Sequence, residues 1–334
     1  MAAHGGTKVV VAALAANLGI AILKLVAALF ARSAAMFAEF AHSVADAGNQ
    51  VFLLLGIKRS KRAADERHEF GYGAENYFWG FIVAVTMFSV GATYSIYEGI
   101  HKILHPGDAH AGDPRWAYAV LGGSIFLESL SMRTAWKEFQ KIKAGRSLRA
   151  TISDARDPVV LIVLFEDAAA LAGLTIALGG IFCARMLGLG WIDGVASVAV
   201  GLVLLAVAIF AARETKSLLL GESVPVGDRQ KIIDIVSHHS GVKRFVHLRT
   251  MHVGPEDVIA AIKVVFPDDY RSADVARKID EIESALRKEL PQLRRIFIEA
   301  GSDLEQTYLE PGEVLKSRTG TVVATPEPEK EAAK

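Results

Sequence analysis

One cysteine in 334 residues removes two classes of protein at once. A lone thiol, Cys183, supports neither a disulfide framework nor a thiolate zinc cluster, so any metal site must use His, Asp, Glu and backbone oxygens. Net charge is also missing. Thirty-seven Lys and Arg balance 37 Asp and Glu, which leaves no whole-chain case for nucleic acid as a partner. Charge of either sign is scarce, at 22% of residues against 51% hydrophobic, and this pattern implies an integral membrane protein with a soluble part. No H-E-x-x-H, nucleophile motif or glycine-rich phosphate loop occurs, so the sequence offers no case for an enzyme. The opening MAAHGGTK runs into a spanning-length apolar segment without a cleavage pattern. It is read as a retained helix with no cleavable targeting peptide.

What is present is length without charge. Six stretches, near residues 8–30, 34–57, 77–100, 116–136, 158–183 and 190–212, are long enough or nearly so to cross about 30 Å of hydrocarbon as helices. Between the second and third lie Lys58, Arg59, Lys61, Arg62 and Arg67. Between the fourth and fifth lie Arg133, Lys137, Lys141, Lys143, Arg146, Arg149 and Arg156. The other loops carry few cations, so the positive-inside rule predicts both termini in the cytoplasm. Lys24, near the outer end of the first stretch, is expected to snorkel.

The second stretch breaks its own apolar rule. Within MFAEFAHSVADAGNQ, residues Glu39, His42, Asp46 and Asn49 fall inside an arc of roughly 80° on one helical face. A charge at mid-bilayer costs at least about 2.5–3.5 kcal/mol, so such groups face a cavity, each other or an ion. His and Asp four apart offer nitrogen and oxygen donors to one divalent cation. The plainer reading is a polar stripe that holds helices together through hydrogen bonds. The fifth stretch repeats the signal with adjacent Glu166 and Asp167 in LIVLFEDAAALAGL, followed by small residues that admit a neighbouring helix. The fourth carries Glu128 with Ser124, Ser129 and Ser131. In the loop AADERHEFGYGAENY, Asp65 and His68 with Tyr72 make a weak candidate site, since two firm ligands fall short of a closed shell. His101, His105 and His110 in an outer loop are read as ordinary loop residues.

From about Glu222 the pattern changes. A helix at 228–239, strands at 245–252 and 258–266, a helix at 272–290 with Ser272 as N-cap, and a strand at 294–299 give the order αββαβ. The expected organisation is a six-helix membrane domain (1–220), a small two-layer α+β domain (221–302) and a disordered tail (303–334) rich in Pro, Glu and Lys.

His42-Ser43-Val44-Ala45-Asp46 in the second of six helices, HEFGYG before the third, Asp167 in the fifth, and GVKRFVHLRTMHVGPEDVIAAIKVVF together resemble the cation diffusion facilitators, the zinc transporter family. The resemblance covers about residues 8–300, and FEDAAALAG is most similar to the subgroup of the animal mitochondrial zinc transporter. It implies a homodimer in a cell inner membrane, with a ferredoxin-like cytoplasmic domain. The implied activity is export of a divalent cation, Zn²⁺ first, in exchange for protons, with no enzymatic activity and no cofactor beyond the transported ion. Carried over by motif, His42, Asp46 and Asp167 are metal ligands, and Asp65 and His68 match a loop site whose third place holds Tyr72. Where the family has His or Asp four residues before the helix-five Asp, this chain has Val163. Glu166 is the expected replacement and Asn49 the alternative. Oxygen-rich coordination keeps Mn²⁺, Fe²⁺ or Co²⁺ open as the cargo. A membrane scaffold with a decayed site, or a hydrolase using Glu166 and Asp167 as acid and base, are the other classes considered. In the cytoplasmic domain the places of metal-binding members hold Val246, Ile262, Glu299 and Gly301, so the domain is expected to dimerise without metal.

Overall fold

The computed structural model describes residues 2–31, 34–106, 114–143, 145–153 and 155–301, and the side chain of His42 lies outside what it describes. So does the tail expected to be disordered. Its residues divide into two units, one of residues 1–223 with 251–258 and the other of residues 224–250 with 259 onward.

The first unit is six long helices: α1 (Ala2–Ala31), α2 (Ala34–Arg59), α3 (Glu75–Leu104), α4 (Pro114–Lys143), α5 (Pro158–Leu187) and α6 (Trp191–Leu219). α1, α3, α5 and α6 have the length and hydropathy of membrane spans. The polar residues of α2 and α4 hold those two below that level, although at 26 and 30 residues they are as long as the others. α1 packs on α2 and α4, α3 on α6, and α5 on α4 and α6. One end of the bundle, here the near end, holds the start of α1 and the end of α6. There Lys8 Nζ lies 3.9 Å from Glu138 Oε1, and the Tyr77 hydroxyl donates to the Arg156 carbonyl at 3.3 Å. At the far end Lys102 Nζ lies 3.0 Å from Glu98 Oε1 and 3.1 Å from Asp193 Oδ2, tying α3 to α6. The same two helices approach closely at Gly99 and Gly194. A methyl on either would stand 2.7 Å from the other's carbonyl oxygen.

Two local features shape the bundle. α3 contains a π-turn at Met87–Ala92, where the Thr93 hydroxyl donates to the carbonyl of Phe88, five residues back, at 2.9 Å. α5 begins at Pro158 with Asp157 as its N-cap, accepting from the Val159 amide at 3.2 Å and from Asn76 Nδ2 at 3.3 Å. Burial pushes the Asp157 carboxyl above its ordinary range, although both hydrogen bonds oppose the shift. A raised carboxyl binds its proton more tightly in the fold, so the ionised form costs stability as pH rises through that value. Asn keeps the acceptor without the charge. Asp157→Ala is therefore expected to cost about 1 kcal/mol through loss of the cap. Asp157→Asn should be neutral or stabilising at neutral pH, read as the melting temperature in detergent.

The second unit has α7 (Val226–Ser237), β1 (Arg244–Gly254), β2 (Asp257–Val265), α8 (Ser272–Glu289) and β3 (Leu293–Gly301), with strand order β1-β2-β3. Although β1 and β2 are each shared with the first unit at their hairpin ends, their alternation is intact. In β2 every second residue from Val258 to Val264 is buried, as a half-covered sheet requires. Ile232 and Val236 of α7 and Ile282 and Leu286 of α8 are buried. The αββαβ order is as the sequence predicts, with one correction at the start of α8. Arg271, not Ser272, is the N-cap, because its amide donates to Asp274 Oδ2 at 3.2 Å and Ser272 has already entered the helix.

Candidate metal-cation site

A cavity of about 350 Å³ runs through the middle of the bundle. α2 contributes Ser43 and Asp46 to its wall, α4 contributes Ser124 and Glu128, and α5 contributes Glu166 and Asp167. Ser43 and Asp46 of α2 thus face a space rather than a neighbouring helix alone, as the cost of intramembrane charge demands. The His42 backbone lies in α2 four residues before Asp46.

Each carboxylate of α5 is held by a different helix. Ser131 Oγ of α4 donates to Asp167 Oδ2 at 2.7 Å. Gln50 Nε2 of α2 donates to Glu166 Oε2 at 2.8 Å, and Asn49 Nδ2 reaches Glu166 Oε1 at 3.4 Å. Asn49 and Gln50 are both buried, and the amide oxygens they turn away from Glu166 have no hydrogen-bond partner. Asn49, weighed from the sequence as a ligand, here serves as a donor to Glu166. Gln50 and Ser131 were not singled out as site residues. Gln50 lies four residues after Asp46 and about 20° beyond the edge of the stripe, and only the place of α5 shows that it reaches Glu166. Val163 is fully buried among apolar side chains, so its position supplies no donor.

The cavity is closed at the near end and reaches the far end. Every residue of α5 from 158 to 164 is buried, packed with Val9, Val10, Leu53, Val83, Met87 and Phe139 in one apolar cluster. Toward the far end the wall continues to Glu98, Lys102 and Asp193, each roughly one-third exposed. Lys24, partly exposed, also lines the cavity. The sequence shows how far along α1 it sits but not which way it faces. Among the described residues no three His, Cys, Asp or Glu side chains converge at metal-ligand spacing, so the carboxylates are spread along the wall.

The loop candidates are arranged differently. Asp65 is exposed, and its Oδ2 accepts from the Tyr72 hydroxyl at 2.6 Å while Oδ1 accepts from the amides of His68 and Arg67 at 2.8 and 3.1 Å. Those bonds, the Tyr72 hydroxyl first, hold its carboxyl below the ordinary range. The His68 ring packs on Tyr72 at 4.3 Å, and Arg62 lies over the other ring at 4.2 Å. Asp65 and His68 are therefore brought together, His68 Nδ1 3.6 Å from Asp65 Oδ1, inside a turn that already uses both oxygens. His101 and His105 stack at 4.9 Å, and His110 lies outside the described residues. In the small domain Ile262 is core, and Glu299 Oε1 pairs with Lys263 Nζ at 3.1 Å. His252 is buried, with Nδ1 2.8 Å from a backbone carbonyl.

Residues 10–220 match the cation efflux transmembrane domain, and residues 224–300 match the cation efflux protein cytoplasmic domain. The chain is 30% identical over 321 residues to the Xenopus laevis proton-coupled zinc antiporter SLC30A9, mitochondrial, covering 96% of this chain and 56% of that one. It is 32% identical over 222 residues to metal tolerance protein C4 of Arabidopsis thaliana, covering 66% and 48% respectively. It is 26% identical over 235 residues to the cation-efflux pump FieF of Serratia proteamaculans (strain 568), covering 70% and 72%. The chain spans about half the length of the first two. A six-helix bundle with carboxylates from α2 and α5 on one cavity, joined to an αββαβ domain and matched along 10–220, identifies this multi-pass membrane protein as a member of the cation efflux family.

Proposed function

We propose that the protein is a divalent metal cation exporter, working by alternating access and exchanging Zn²⁺ for protons. The observation that carries this reading is the pairing of Asp46 and Asp167 on one cavity sealed by apolar residues at the near end. A passage blocked at one end and reaching the other suits a carrier caught facing one side and does not suit an open pore. His42, Asp46 and Asp167 are the proposed ligands, with Glu166 as fourth donor. His and carboxylates must lose protons to bind metal, so protons and cation compete, and protons entering at the far end promote release. The family is one of carriers, which sets the hydrolase reading aside.

The loop cations support a near end that faces the cytoplasm, with both termini there, in a cell inner membrane. Two copies assembled through the cytoplasmic domain make the working unit, and that domain binds no metal of its own. We place the domain boundaries at 220–221 and 302–303. The Asp65–His68 turn is at most an accessory site, since a metal there must displace the Tyr72 hydroxyl.

A second reading, Mn²⁺, Fe²⁺ or Co²⁺ as cargo, draws on the buried Val163 and on a wall whose described donors are all oxygens. The test is uptake of a panel of these ions and Zn²⁺ into vesicles, run between about pH 6 and 8, the range in which histidine changes charge. Wild-type protein is expected to accumulate Zn²⁺ fastest and in step with the pH gradient. Glu166→Gln should bind metal more weakly and flatten the pH dependence. An unchanged profile would remove Glu166 from the site, and no accumulation of any ion would leave the scaffold reading.

A further inference from the structure

Glu128 is a buried carboxylate that the ligand set above does not use. It is 5% exposed, lies on the cavity wall, and sits within electrostatic range of Asp167, Glu166 and Asp46, with Lys24 as a positive charge bearing on it. Four carboxylates around one space repel each other unless protons or a cation stand between them. Acidic residues alone do not make a site, but Ser124 adds an independent sign. It is fully buried one turn from Glu128 on the same face of α4, lines the same cavity, and its Oγ has no hydrogen-bond partner. Serines in helices usually satisfy their hydroxyl on the carbonyl four residues back, as Ser129 and Thr134 of this helix do at 2.6 and 3.1 Å. Ser124 instead leaves its oxygen idle beside the cavity. Ser131, seven residues along, shows what this face does when a partner is in reach, because it bonds Asp167.

We propose that Glu128 and Ser124 form an oxygen-donor cation station on α4, a second stop between the Asp46–Asp167 level and the far end of the cavity. This rests on the carrier reading above. Counting from Ser131, which contacts Asp167, Glu128 is about 4.5 Å and Ser124 about 10 Å further toward the far end at 1.5 Å per residue. Two protein donors do not close a coordination shell, so the ion keeps part of its water there. A carboxylate and a hydroxyl are hard donors, which favours a Mn²⁺-like ion relative to Zn²⁺ at this stop. The dispersal of the carboxylates fits a stepped route better than a single closed site.

The test uses the full-length chain in liposomes, with initial uptake of Zn²⁺ and of Mn²⁺ measured against concentration. Glu128→Gln should raise the half-saturating concentration of both ions about tenfold or more, the range for groups that complete a metal site, with yield and dimer peak unchanged. Glu128→Asp should recover most of that loss. Ser124→Ala should raise it about threefold, the worth of one neutral oxygen contact, and more for Mn²⁺ than for Zn²⁺. Wild-type half-saturation in Glu128→Gln overturns the station, as does a fall in maximal uptake alone, which would mark a packing role. Should Glu128→Gln fail to fold, Ser124→Ala decides, and an unchanged half-saturation there overturns the station. Wild-type vesicles that take up neither ion overturn the carrier reading and the station together, whereas active wild type with an unaffected Glu128→Gln sinks the station alone.

Discussion

Asp167→Ala is expected to abolish metal uptake in reconstituted vesicles while leaving a folded, monodisperse protein, and Asp46→Ala should do the same. Both carboxylates line the cavity from helices on different sides, so each removes charge from the space without removing packing from the apolar cluster. If these carboxylates are ligands, as proposed, losing one should cost at least about a hundredfold in affinity, the upper range for groups that merely support a site. Asp167 has a built-in comparison. Ser131→Ala deletes only its hydrogen-bond donor, and a bond to a charged group is worth about 1.5–3 kcal/mol, so uptake should weaken without vanishing. Uptake measured at matched protein density decides the matter, and retained flux in either aspartate variant would falsify its place as an obligatory ligand.

Gly99→Val is expected to be the most damaging change outside the cavity. A Cβ at Gly99 would lie 2.7 Å from both the Gly194 carbonyl oxygen and the Val198 amide nitrogen, and one at Gly194 would lie 2.9 Å from the Ile103 amide nitrogen. Backbone cannot rotate away as a side chain can, so α3 and α6 must separate. Even alanine there should cost about 1–3 kcal/mol, and valine more. Separation would also strain the Lys102 bridge to Asp193. Gly122→Ala is the control, because among the described residues nothing beyond its own stretch of helix lies within 4 Å of its Cβ. It should be neutral, or stabilising by up to about 1 kcal/mol through helix propensity. Melting in detergent of the three proteins tests the ordering. A Gly99→Val protein that melts like wild type would show that this crossing is not tight.

How much of this was legible in one dimension depends on the kind of signal. Asp46, Glu166 and Asp167 stand out because charge in an apolar run is costly wherever the helix ends up. The six helices and the αββαβ order follow from periodicity and length. Gln50 and Ser131 were not legible as partners of α5, since their roles depend on which helix lies opposite. That Lys24 lines the cavity was not legible either, because its depth is visible in the sequence and its direction is not. The π-turn in α3 had no local marker: MFSVGA reads as ordinary helix. Ser272 was a sound cap by residue type, and the helix simply began one residue earlier than that rule assumed.

The apolar cluster at the near end has an electrical consequence. A cavity filled by water and mobile ions would short-circuit its part of the membrane, so the transmembrane voltage would fall mainly across the packed layer around residues 158–164. On the exporter reading, a cation leaving Asp46 and Asp167 for the far end therefore crosses little of the field. On the same reading the work is done earlier, when the loaded site changes sides and the layer closes behind the ion, at up to about 2.3 kcal/mol per elementary charge for each 100 mV. Voltage should thus act on the conformational step far more than on cation affinity measured from the far side. A divalent ion on three carboxylates would move with a net negative site, so the loaded carrier and the empty one feel the same field with different force.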